Sequence, residues 1–342
     1  MALAQVLVFN KFHRAIAEIQ PEVEMASWRL NNVGQAKIWL PWSDPKCTTD
    51  IVKPGNRLVL QFDDGLPDWG GVMDVPLSVQ SGRTGITAYT AERILDWRVT
   101  AKGRYFDTQT PGYIFQTLLT EESNEYPLRI GIGSIYTGGT DRTLEYHYHD
   151  LLRRVQDLAR LTGEDFAIIP SYTAGVLTLT ANWYEQRGSD LSDTIWLVED
   201  RNVTGEPQLD RQGPLHNRIL LAGEGSTWGD DRITSVAQDV DSINAYDYRE
   251  YSETQSVTEQ ATLDANAAAL LAAYKQPYRA LTLPGVVNLP PGEFGDYDIG
   301  DILTASLFLE SEYWYFEDSV RVIAREWRPD NTCRLEVVAW DS

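Results

Sequence analysis

The chain has 342 residues, 29 of them basic and 50 acidic, for a net charge of −21. At roughly 150 residues per domain this length suits two or three domains. An apolar share of 43% with 11 Trp, 17 Tyr and 9 Phe places the acidity on folded surface rather than in a disordered tail, and the absence of any long basic run excludes a domain that grips nucleic acid by neutralising its phosphates.

The N-terminal segment carries Lys11, His13, Arg14 and Glu18 and no apolar core ahead of a small-residue cleavage site, so no signal peptide is expected. No stretch approaches the roughly 18 apolar residues of a membrane span; the expectation is a soluble chain made inside a cell, alone or as part of something larger. Cys47 and Cys333 lie near opposite ends and read as separate thiols, not as a disulfide framework.

Up to residue 105 the pattern is two-residue alternation. Ala36, Ile38 and Leu40 alternate with Gln35, Lys37 and Trp39, and Leu58, Leu60 and Phe62 with Arg57, Val59 and Gln61, as half-buried strands do. Turn formers at Asn31–Gly34, Ser43–Pro45, Lys53–Asn56, Asp63–Gly65 and Ser81–Arg83 have the spacing of an antiparallel sandwich or barrel. Residues 1–105 are expected to be all β.

Thr110-Pro111 is a helix entry, with Thr as N-cap and Pro at the first helical position, and Ile114, Phe115, Leu118 and Leu119 follow as an apolar stripe. A second amphipathic helix follows Asp150, with Leu151, Leu152, Val155, Leu158 and Ala159 on one face and Gly163 as C-cap. Phe166–Ile169 and Val176–Thr180, joined through Pro170 and Gly175, read as a hairpin on those helices. Residues 106–205 are expected to form an α+β domain.

A turn-rich stretch from Thr204 to Pro214 leads into residues 206–342, which return to strands at Ile219–Ala222, Ile233–Gln238, Ile302–Phe308, Val320–Ala324 and Leu335–Ala339. One long helix, at 256–275, is inserted among them. A capping box Ser256-x-x-Glu259 opens it, Leu263, Ala267, Leu270, Leu271 and Tyr274 form its face, and Pro277 stops it. The expected fold class is mainly β, two β-barrel-like domains flanking an α+β domain.

Reactive constellations are sparse. There is no Gly-x-Ser-x-Gly elbow, Walker loop, complete Gly-x-Gly-x-x-Gly or His-Glu-x-x-His; Gly131-Ile-Gly133 and Gly223-Glu-Gly225 read as turns. His147 and His149, one residue apart, would share a face on a strand and could begin a zinc site, which needs one or two more ligands. Glu145 and Asp150 are near, but polar residues ahead of a helix usually cap or solvate it. Asp63-Asp64, Glu121-Glu122, Asp230-Asp231 and the cluster Glu293 to Asp301 could supply paired glycosidase carboxylates, yet they fall in turns of a very acidic chain and read as solvated. No cofactor, metal or catalytic set is assigned, and no enzyme activity is expected.

The tryptophans carry more. Trp39, Trp42 and Trp69 lie in or beside the first strands and Trp314, Trp327 and Trp340 in the last, with Trp39 and Trp340 opposite the small or aliphatic positions of their own strands. An outward Trp is either core between domains or an interface anchor, with carbohydrate stacking a third use. The candidate subunit-interface aromatics are Trp39, Trp42, Trp69, Trp314 and Trp340.

The order β, α+β, β resembles the tail hub and minor tail proteins of tailed phages and phage-like particles over nearly the whole chain. In the first domain the matching segments are Trp28 to Gly34, Leu40 to Pro45, Gly55 to Leu60, Trp69-Gly-Gly-Val72 and Arg93 to Arg98. They continue as Asp150 to Ala159 leading to Thr162-Gly163-Glu-Asp-Phe166, a helix ending at Tyr274, Gly300-Asp301-Ile-Leu303, and the strand Arg321 to Arg325. The resemblance implies a homotrimer at the virion's tail tip, assembled in host cytoplasm, whose β-domains, two per subunit, form a pseudo-sixfold ring continuing the tail tube. Implied partners are a distal tail protein or tube ring, the C-terminus of the tape-measure protein, and other tail-tip or fibre proteins. DNA would pass through on ejection into the host without being specifically bound, which suits a lumen that is not basic. Some relatives continue into a peptidase, a lysozyme-like unit or a receptor-binding module; with the last strand ending just before Ser342, those tasks are expected of other subunits. The alternative is a carbohydrate-binding or glycan-hydrolysing tip protein, motivated by exposed Trp and paired carboxylates.

Overall fold

The computed structural model describes residues 3–340 apart from 64, 101–102, 147, 211–214, 226–231, 256, 277–279 and 310–313, and without the side chains of 75–77, 210, 309 and 314. The first region folds as β1 (Leu3–Phe9), β2 (Ala15–Ile19), β3 (Glu22–Arg29), β4 (Gln35–Pro41), β5 (Arg57–Phe62), β6 (Trp69–Gln80) and β7 (Arg83–Thr90), followed by the short helix α1 (Arg93–Asp96). Ala36, Ile38 and Leu40 of β4 are buried on one face, as the alternation predicts. In β5 the alternation fails, because Val59 and Arg57 are buried as well as Leu58 and Leu60. The cause is a second layer: Leu7, Phe9, Val59 and Val72 present the other face of β1, β5 and β6 to the core of the following unit.

That unit comprises β8 (Arg104–Gln109), α2 (Pro111–Glu125), β9 (Gly131–Ile135), β10 (Arg142–Tyr146), α3 (Leu151–Thr162), β11 (Asp165–Thr173) and β12 (Val176–Tyr184). The helix ends follow the sequence. Thr110 Oγ1 accepts the Tyr113 N–H at 3.4 Å, and Gly163 closes α3 at φ 72°, a left-handed value that favours Gly. β11 and β12 form the expected hairpin, and β9 joins β12 in parallel. Phe115 and Trp183 meet at 5.0 Å between ring centres, with Phe166 stacked 6.4 Å from Trp183.

The rest of the chain contributes β13 (Trp196–Val198), β14 (Gln208–Asp210), β15 (Arg218–Ala222), β16 (Thr234–Gln238), α4 (Val240–Tyr246), β17 (Glu250–Thr254), α5 (Gln260–Tyr274), β18 (Ala280–Val287), β19 (Ile302–Leu309), β20 (Trp314–Trp327) and β21 (Thr332–Ala339). It holds two sheets. β15, β16 and β17 form a separate small sheet, covered by α5 over a core of Ile219, Leu221, Val257, Leu263, Ala267 and Leu270. Residues 219–222 and 233–238, read from sequence as strands of the terminal β region, belong to this unit because β15 finds a parallel partner, β17, across α4. α5 starts at Gln260 with Glu259 as an N-cap that makes no side-chain cap bond, later than the capping box implied; Ser256 and Pro277 lie outside the described residues. The unit is inserted between two paired strands, since β14 and β18 are antiparallel neighbours with Asp210 opposite Ala280.

The other strands of this region join the first region. Among the described residues thirteen strands make one sheet, in the order β14-β18-β21-β20-β3-β4-β7-β6-β5-β1-β2, with β19 on β20 and β13 on β19. β20 makes the join. Its first half pairs with β19, its last four residues pair with β3 (Ala324 opposite Arg29, Trp327 opposite Ala26), and β21 runs along its far side. Trp28, Phe62 and Trp327 meet over this seam with ring centres 5.8 and 5.2 Å apart, and a single buried cluster runs from Val6 to Val337.

Candidate functional site

Trp69 is completely buried, its indole N–H donated to the Ser27 carbonyl at 2.9 Å, so its whole surface is used inside the chain's own core. Gly71 makes the room: a Cβ there would fall 2.0 Å from the Tyr89 carbonyl oxygen and 2.6 Å from the Trp69 ring. Trp39 is half-buried beneath the Arg83 guanidinium, 4.5 Å from its ring, and donates to Glu24 Oε2 at 3.1 Å. Trp42 is 56% exposed, and its indole N–H is donated to Thr84 Oγ1 at 3.1 Å. Trp340 is half-buried, with the Arg321 guanidinium 5.1 Å from its ring. The Trp314 side chain lies outside the described residues.

Sequence reasoning passed over a second exposed aromatic surface, on the 93–184 segment. Trp97, Val99, Tyr126 and Tyr148 are all exposed. Arg98 Nη1 donates to the Tyr126 carbonyl at 2.9 Å, Val99 bridges to Asp150, and the Thr100 N–H donates to the His149 carbonyl, so the segments bearing these residues are neighbours. Their scatter over three loops leaves no periodic signal to read.

Of the carboxylates weighed for catalysis, Asp63, Glu293 and Asp296 are exposed, while Glu121, Glu122 and Asp301 make structural contacts. Glu121 pairs with Arg104 and Glu122 with Arg98; Asp301 accepts the Ser189 and Asp298 N–H groups at 2.7 and 2.6 Å. Asp64, Asp230 and Asp231 lie outside the described residues, as does His147, while His149 is exposed. Among the described residues no three His, Cys, Asp or Glu side chains converge as a metal site.

A buried polar network lies where the α+β unit meets the large sheet. Asp165 accepts from Asn31 Nδ2 at 2.8 Å, from the Arg187 N–H at 2.7 Å and from Arg321 Nη2; Arg321 Nε donates to the Gly300 carbonyl at 3.0 Å. A cavity of about 140 Å³ lies beside it, lined by Trp28, Asp68, Glu92, Ile168, Arg187 and Asp298. Glu92 is buried there and accepts the Ile168 N–H at 2.8 Å. Burial raises the Glu92 carboxyl above the ordinary 4.5, against the hydrogen bonds from Thr90 and Ile168. An acid raised in the folded state binds its proton more tightly there than in the unfolded chain, so its contribution is full below the ordinary value and declines as pH rises through it. Glu92→Gln is expected to remove this decline, making urea stability less pH-dependent above 4.5 than in the natural chain; an unchanged slope would clear Glu92 of the effect.

These elements define a mainly β architecture with α+β units set into it, a fold shared with phage tail proteins. It is similar to prophage tail protein gp18 from Listeria monocytogenes EGD-e (TM-score 0.61, 12% identity, covering 98% of this chain and 94% of that one). It is equally similar to a tail protein from Neisseria meningitidis MC58 (0.61, 13%, 98% and 96%) and close to the 43 kDa tail protein of prophage MuSo2 from Shewanella oneidensis (0.58, 11%, 98% of each). In sequence, no family model and no curated protein matches the chain.

Proposed function

We propose that the chain is a structural hub of a phage or phage-like tail tip, a homotrimer whose β regions, 1–105 and 206–342, alternate around a ring that continues the tail tube. The observation that carries this is the fold match to three tail proteins over 98% of the chain, and the seam through β20 favours it by fusing two β regions into one rigid wall segment. Trp39, Trp42 and Trp340 are the interface candidates with surface still to offer; Trp314 is proposed with them, and Trp69 is not. The ring joins a distal tail protein or tube ring to the tape-measure C-terminus and to tip or fibre proteins, and an acidic chain lets DNA slide past without holding it. Its role is structural and its place the virion tail. No described helix is long and apolar enough to cross a membrane.

Size-exclusion chromatography with light scattering is expected to give three times the 38.6 kDa of one chain, and particles about three copies, as closed cyclic symmetry requires. A chain that stays monomeric alone and beside tube-ring proteins would sink the proposal. The exposure of Trp42 favours glycan stacking as a second reading; a glycan array unchanged by Trp42→Ala removes it.

A further inference from the structure

One place runs against the acidic surface. The turn joining β1 to β2 carries Phe12, 53% exposed, with Lys11 Nζ 5.2 Å and the Arg129 guanidinium 4.6 Å from its ring centre. Arg14 is exposed on the same turn. Beneath it His13 is lowered to about 4 by burial and by Arg57 and Arg129, and Arg57 to about 10 by burial and Arg129. Among the described residues no carboxylate forms an ion pair with Lys11, Arg14, Arg57 or Arg129, and His13 Nε2 and Arg57 Nε are buried without a hydrogen-bond partner. Cations gathered without counterions in a chain of net charge −21 call for an acidic partner.

A complementary surface lies just after β13, where Val203 bridges to Val286 of β18. Glu199, Asp200 and Glu206 line a recess of about 230 Å³ on the segment that runs into β14; among the described residues no Lys or Arg lines it, and exposed Arg201 follows Asp200 in sequence. Exposed Phe308 adjoins it, its N–H donated to Glu199 Oε2 at 2.5 Å, and exposed Tyr315 stands opposite Phe308 in the β19–β20 ladder. The β1–β2 turn thus offers an aromatic ring among cations, and the recess after β13 an aromatic ring beside carboxylates.

We propose that Lys11, Phe12 and Arg14 of one copy dock onto the Glu199–Asp200–Glu206 recess and Phe308 of a second copy, a head-to-tail contact repeated around the ring. This rests on the hub reading above and names the surfaces that would close it. Unlike patches meeting head to tail give a heterologous contact, which closes into a ring when the rotation fits. A buried aromatic centre with charged flanks is the usual anatomy of such contacts. The same charges repel turn from turn and recess from recess, which fixes the orientation.

The test is the oligomeric state of the full chain, followed by light scattering over a range of concentrations. The variants are K11E/R14E, D200K/E206K and the four changes combined, with circular dichroism to confirm folding; all four side chains are exposed. Each reversed pair is expected to raise the concentration for half-assembly by about tenfold or more, as loss of close charge pairs does, and the combination to recover most of that loss. A natural chain that assembles and is indifferent to every reversal overturns the docking and leaves the hub reading standing. A natural chain that is monomeric throughout, alone and beside tube-ring proteins, removes both. Duplex DNA bound by the natural chain and lost in K11E/R14E, with assembly unchanged, overturns it in favour of a nucleic-acid contact.

Discussion

Asp165→Ala is expected to cost about 3–5 kcal/mol of folding stability, the usual penalty for stripping one partner from a buried ion pair. Asp165 and Arg321 are both buried, and the carboxylate gathers Asn31 from the β3–β4 turn, the Arg187 N–H from the strap after β12, and the guanidinium from β20. Removing it leaves Arg321 charged and enclosed, with the Gly300 and Arg187 carbonyls as its remaining acceptors among the described residues. An apolar replacement of both partners, Asp165→Leu with Arg321→Met, is expected to recover much of the loss, because the desolvation penalty disappears along with the attraction. Urea denaturation followed by tryptophan fluorescence measures both; a single variant losing less than about 1 kcal/mol would place the pair among weak, solvent-screened ones.

Trp327→Ala is expected to cost about 3–5 kcal/mol, as large-to-small changes in well-packed cores do. Trp327 is buried at the seam, its ring centre 5.2 Å from that of Phe62 and its backbone paired with Ala26. The hole opens between the first and last β regions at once. Both are therefore expected to lose hydrogen-exchange protection together, since cooperative units follow shared cores and one buried cluster spans Val6 to Val337. Loss of protection in β18–β21 with β4–β7 still protected would show two independent domains at this seam.

What could be read from the sequence was local. The Thr110-Pro111 entry, the Gly163 stop and the faces of α2, α3 and α5 follow from caps and 3.6-residue periodicity, which need no knowledge of distant residues. Alternation found β4 and half of β5, and it failed at Arg57 and Val59 because nothing within the strand announces a second layer on its other face. It also gave no warning that Arg321 and Arg325 are buried, the latter donating to the Phe294 carbonyl at 3.2 Å; a register shift between Val322 and Ala324 re-aims β20. The β3–β20 pairing joins segments at opposite ends of the chain and leaves no trace in either. For the candidate surface, tryptophan position singled out Trp42, which is open, and Trp69, which is enclosed. Phe12 went unnoticed because a lone aromatic in a polar turn has no periodicity, and its significance comes from Arg129, brought over from another unit.

The pairing of Asp210 with Ala280 makes residues 211–279 a passenger in a hairpin. Both ends of that segment leave from one point on the rim of the large sheet, so its length and content are free to vary without moving a register anywhere else. Closing a longer loop at such a point adds only about 0.6 kcal/mol for each doubling in length. What fixes the passenger's stance is its hold on its neighbour, where Arg142 Nη1 donates to Asn266 Oδ1 at 3.2 Å. The wall of the molecule and its side decoration can thus diverge at different rates: the sheet answers to its own seam, while the passenger answers to a handful of contacts with the α+β unit.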